Sequence, residues 1–109
     1  MQLSRYVTFS WYLAGRRFSL EGQHKAGISL LEESLKSKSI ETAEANELIE
    51  IETQRLLGRL YLRLRNFKDA RNAYQQVLAR STSEAARRTA KDWLQRVQWL
   101  ASQSETGKN

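Results

Sequence analysis

The sequence predicts an all-α domain of about five helices, and three observations carry that prediction. The 109 residues include no proline, and no stretch alternates apolar and polar residues with the period of a strand. Apolar residues recur three and four apart, the spacing of one helix face. Two stretches also echo one another: Gly15, Phe18, Gly27 and Leu31 are matched, each 43 residues later, by Gly58, Tyr61, Ala70 and Tyr74. A small residue among large ones on each of two helices is what close antiparallel packing needs. Each stretch is therefore expected to be a helix–turn–helix hairpin.

In chain order, the first helix is expected over about Leu3–Leu20, closing at Glu21-Gly22, where glycine accepts the left-handed conformation. The second runs from about Gln23 to Lys36. Ser39 is a plausible N-cap for the third, with Glu41 and Glu44 in a first turn favoured by the helix dipole. The alanines and glutamates that follow are strong helix formers, so one long helix from about Ile40 to Leu64 is expected, projecting past its neighbours. The competing picture for residues 37–50 is a loop holding a short separate helix. A hinge at Arg65-Asn66 leads to the fourth helix, which carries Phe67, Ala70, Tyr74 and Val77 on one face and ends at Arg80. Ser81-Thr82-Ser83-Glu84 fits a capping box and starts a fifth. Its apolar stripe of Ala86, Ala90, Trp93, Val97 and Leu100 ends near Ser102, and Gln103 to Asn109 is expected to be a disordered tail. The expected core holds Trp11, Gly15, Phe18, Leu31, Leu57, Gly58, Tyr61, Ala70, Tyr74, Val77, Trp93 and Val97.

Composition bounds the function. A content of 40% apolar and 28% charged residues is that of an ordinary globular domain, so wholesale disorder is not expected. The absence of cysteine removes disulfides and thiol chemistry and fits a reducing compartment. No apolar run approaches the roughly 20 residues that span a bilayer, and the N-terminal stretch lacks the order of a signal peptide. A soluble, cytoplasmic protein is expected. The net charge of +6 is unevenly spread: +3 over residues 1–39, −5 over 40–54 and +8 over 55–109.

Catalytic and metal chemistry find little to work with. His24 is the lone histidine and reads as a packing residue, because a metal site needs several convergent ligands. No phosphate-binding glycine loop occurs. The five glutamates Glu41, Glu44, Glu47, Glu50 and Glu52 read as a solvated acidic helix face. No cofactor is expected, and an enzyme is not.

The order Leu57-Gly58, Tyr61, Phe67, Ala70 resembles the tetratricopeptide repeat, a helix–turn–helix unit of about 34 residues. The resemblance implies one domain over residues 1–102. Its parts would be a first repeat at about 8–41, an inter-repeat helical segment at about 40–50, a second repeat at about 51–84 and a capping helix at about 83–102, stacked as a short superhelix. The proline that often closes such repeats is absent, with Ser39 and Thr82 in its place.

The family's functional surface is the groove lined by the first helix of each repeat. The positions so implied are Phe9, Tyr12, Leu13 and Arg16 in the first unit, and Glu52, Arg55, Leu56, Arg59 and Arg63 in the second. Arg55, Arg59 and Arg63 are four apart, so any helix places them in one row. Such a row beside Phe9 and Tyr12 suits an acidic segment of another protein with apolar anchors. The lysine and asparagine clamp by which some members grip chaperone tails is not reproduced, because Tyr12 and Arg16 stand there. Trp99 lies off the buried stripe of the fifth helix and marks a second contact surface, for itself or another protein. Self-association, or membership of a longer array, is compatible with two repeats. Nucleic-acid binding is the alternative suggested by the basic C-terminal half, although no base-reading motif accompanies it.

Overall fold

The computed structural model describes residues 2–36 and 43–107, and the side chains of residues 11–36 and 47–104. Five helices and no strand occur among them: α1 (Gln2–Leu20), α2 (His24–Lys36), α3 (Ala43–Arg63), α4 (Phe67–Arg80) and α5 (Glu84–Gly107). The expectations for Ser39, Ile40 and Glu41 lie outside the described residues. From Ala43 onward the helix is continuous into the second repeat.

Two hairpins, α1–α2 and α3–α4, stack through α2 and α3, and α5 packs on α4. The molecule measures 55 × 31 × 19 Å, so its thinnest dimension is two helices, each about 10 Å across.

Both hairpins turn in the same way. Gly22 has φ 82° and Arg65 has φ 60°, and these positions are 43 residues apart. In the first turn Gln23 N donates to Phe18 O at 2.9 Å; in the second Asn66 N donates to Tyr61 O at 2.8 Å. This is the six-residue closure that ends many helices on a left-handed residue. Asn66 then caps α4, its side-chain oxygen accepting from Asp69 N at 3.4 Å while its amide donates to the Asp69 carboxylate at 2.7 Å.

The small residues sit where the helices approach. A Cβ on Gly15 would lie 2.7 Å from Leu31 Cγ, and one on Gly58 would lie 2.8 Å from Tyr74 Cε2 and Cζ. Gly27 faces the α1 backbone, with Gly15 O and Ser19 N within 3.3 Å of such a carbon. Leu31 and Tyr74 are fully buried. Each large side chain thus occupies the space that its glycine leaves.

The core is wider than the expected stripe. Gly15, Leu31, Leu57, Gly58, Ala70, Tyr74, Val77 and Val97 are buried, but Trp11, Phe18, Tyr61 and Trp93 are only half-buried. Their rings lie at the rim: Tyr61, for example, reaches α2, where its hydroxyl donates to Glu32 at 2.6 Å. Thr53, Leu56, Leu60, Ala73 and Ala90 are buried as well. Three of these lie on α3, which packs against α4 on one side and against α2 and α1 on the other, so it buries two stripes rather than one. His24 is half-buried.

Three further expectations are corrected. Helix α5 continues to Gly107 instead of ending near Ser102; no helix breaker interrupts residues 103–106, and the first glycine stands at the end. Its cap is Ser83, whose Oγ accepts from Ala86 N at 3.3 Å, and not Ser81, which is buried as the C-cap of α4. The acidic segment is not simply solvated. Glu47 and Glu50 both pair with Arg80 of α4, at 3.4 and 3.2 Å, and Glu52 pairs with Arg55. The two Arg80 contacts tie the long N-terminal part of α3 to the end of α4, at about 0–1 kcal/mol for each half-exposed pair.

Candidate functional site

One face of α3 carries Arg55, Arg59 and Arg63 at successive turns, and α1 carries Tyr12 and Arg16 one turn apart. Adding 43 to Tyr12, Arg16 and Leu20 gives Arg55, Arg59 and Arg63, so the two rows run side by side in equivalent positions of the hairpins. Between them lies a depression of about 160 Å³, lined by Arg16 and Leu20 of α1 and by Arg55, Leu56, Arg59 and Arg63 of α3. That volume accommodates one carboxylate-bearing side chain with a few waters, at about 30 Å³ per water.

The row does not present three equal charges. Arg55 Nη2 donates to Glu52 Oε2 at 2.6 Å and Arg55 Nε to Glu52 Oε1 at 3.2 Å. This bidentate hydrogen bonding raises the Arg55 pKa further above its usual value and neutralises the pair locally. Arg16, Arg59 and Arg63 are exposed and form no ion pair among the described residues. The net positive charge of the depression comes from these three.

The apolar members differ from one another. Tyr12 packs on the core as a half-buried wall, and its hydroxyl pKa is raised first by burial and then by Glu52. Leu56, expected to face the groove, is 9% exposed and belongs to the core, although it reaches the floor of the depression. Leu13 is exposed. Phe9 lies on α1, and its side chain is outside those described. Leu20 was not expected here, yet its equivalence to Arg63 at the 43-residue offset would have found it. Trp99 is 60% exposed on α5 and does not line this depression.

No group of histidine, aspartate and glutamate among the described residues is arranged to hold a metal ion. No helix among them is long and apolar enough to cross a membrane.

The pattern of the tetratricopeptide repeat family matches residues 10–83, more than half of the chain. Searches of curated proteins and of solved structures gave no match. Repeats of this family generally mediate protein–protein interaction and are typically non-catalytic. The matched segment runs from residue 10, within α1, to the end of α4 and takes in the paired glycines and shared turn of the two hairpins, and the chain belongs to the tetratricopeptide repeat family.

Proposed function

We propose that this protein is a non-catalytic adaptor that binds an acidic segment of a partner protein along the α1–α3 groove. The observation that carries this is the convergence of Arg16, Arg59 and Arg63 on one depression, with no carboxylate pairing them among the described residues. A carboxylate reaching an exposed guanidinium there forms a charge-assisted hydrogen bond, often bidentate. Leu13, exposed on α1, supplies apolar contact beside Tyr12. Arg55, held by Glu52, shapes the wall and leaves the binding charge to its neighbours. Trp99 belongs to a separate surface that contributes nothing to groove affinity.

The test is a titration at low salt with a glutamate-rich peptide and, separately, with single- and double-stranded oligonucleotides. Peptide binding that weakens as salt screens the arginines supports the groove. Tight oligonucleotide binding with a steep salt dependence, and none of the peptide, would assign the basic surface to nucleic acid instead.

A further inference from the structure

A separate depression lies among α2, α3 and α4 and shares no residue with the α1–α3 groove. Its floor is apolar: Leu57 and Ala73 line it and are 3% and 4% exposed. Glu32 of α2 and Asp69 of α4 line it too, with the side-chain amides of Gln54, Asn72 and Gln76. No basic residue among those described does. Two carboxylates on an open helix face would simply be solvated. Here they stand at a cavity with a buried apolar floor, in a chain of net charge +6.

The hydrogen bonding shows what the cavity lacks. The Tyr61 hydroxyl, also in the lining, donates to Glu32 Oε2 at 2.6 Å and tethers that carboxylate to α3. The Asp69 carboxylate accepts from the Asn66 side-chain amide at 2.7 Å. Both donors are neutral, and neither carboxylate forms an ion pair among the described residues. A carboxylate offers about four lone-pair sites, so both keep acceptor capacity. Together with the amide oxygens they call for a cationic donor.

A guanidinium suits this lining better than an ammonium. It presents five N–H donors in a planar fork, and its methylene stem covers apolar surface. The depression holds about 220 Å³, and a cavity of about 150 Å³ is enough to admit benzene. A planar head and its stem therefore fit. Free arginine suits it less, because its own carboxylate would meet a lining without a base. An arginine within a polypeptide carries no such group.

We propose that the α2–α3–α4 depression docks an arginine side chain of a partner protein, with the guanidinium bound by Glu32 and Asp69 and the stem resting on Leu57 and Ala73. The site is independent of the α1–α3 groove and stands or falls without it.

Two blocked tripeptides, acetyl-Gly-Arg-Gly-amide and its citrulline counterpart, test this by NMR titration of the full chain at low salt. Citrulline keeps the shape and loses the charge. The side-chain amide signals of Gln54, Asn72 and Gln76 should shift with the arginine peptide, which should bind about tenfold more tightly than the citrulline one. Glu32→Gln and Asp69→Asn should each weaken arginine binding about threefold or more. Both keep an amide oxygen for Tyr61 or Asn66, so melting temperatures should not change. Arg59→Ala/Arg63→Ala should leave this binding no weaker. Equal binding of the two peptides, or unchanged affinity in both carboxylate variants, would overturn the site. Free arginine binding as tightly as the blocked peptide would assign it to a small molecule. A dimer in sedimentation equilibrium that Glu32→Gln dissociates would assign it to a second copy. Either result overturns the partner protein as occupant.

Discussion

In the first hairpin Gly15 makes room for Leu31, and Gly27 lets the α2 backbone approach α1. In the second, Gly58 makes room for Tyr74, and Ala70 stands where Gly27 does. The same skeleton is filled by a flexible aliphatic chain in one case and by a rigid ring in the other. The ring does more than fill space, because it stacks on Trp93 and so joins the second hairpin to α5. Leu31 makes its contacts in the cluster with Leu56, Leu57 and Leu60 of α3. The second hairpin is thus packed on both sides, and the hydrophobic stability of the molecule is centred there.

The largest expected effect follows directly. Tyr74→Ala removes a buried aromatic and its stack and should destabilise by about 3–5 kcal/mol in urea melts, and more than Leu31→Ala at about 2–4 kcal/mol. A larger loss at Leu31 would reverse the contrast. Overpacking comes next. Gly58→Leu should cost about 1–3 kcal/mol or more, and Gly15→Leu less, because Leu31 can change rotamer and Tyr74 is held by Trp93. An unchanged melting temperature for Gly58→Leu would mean that the close approach does not occur.

Alkaline pH sharpens the same comparison. Burial pushes the Tyr74 hydroxyl up to about 12 from 10.0, against the opposing arginines. The unfolded chain then releases the proton first, so stability is full below about pH 10 and falls as pH rises toward 12. Tyr61, raised by burial and by its bond to Glu32, adds to this slope. Denaturant midpoints in Tyr74→Phe should decline less steeply over that window than in the parent. The turns give the smallest effects. Gly22→Ala forces a Cβ into the left-handed region and should cost about 1 kcal/mol. Arg65→Gly relieves such strain, worth about 1–2 kcal/mol, while adding about 0.5–1 kcal/mol of chain entropy to lose, for a net gain of roughly 0.5 kcal/mol in thermal melts.

The 43-residue offset made the paired glycines and their large partners legible in the sequence, and the four-residue spacing did the same for the arginine row, because each is a local spacing. It could not tell that Leu56 and Leu60 are buried. Periodicity identifies one buried face, whereas α3 lies between two layers and buries a second. The pairing of Glu52 with Arg55 was within reach at three residues' spacing, but that of Arg80 with Glu47 and Glu50 joins two helices and depends on the fold.

The location of the binding face is tested most directly by two variants that remove the same charge. Arg59→Ala/Arg63→Ala strips the α1–α3 groove, and Arg88→Ala/Lys91→Ala strips two exposed bases of α5 outside it. Affinity for the glutamate-rich peptide should fall about tenfold or more in the first, about 1.4 kcal/mol, with helicity and melting temperature unchanged. It should remain within about twofold of the parent in the second, where only long-range charge is lost. Equal weakening in both would mean that net charge, and not the groove, binds the peptide.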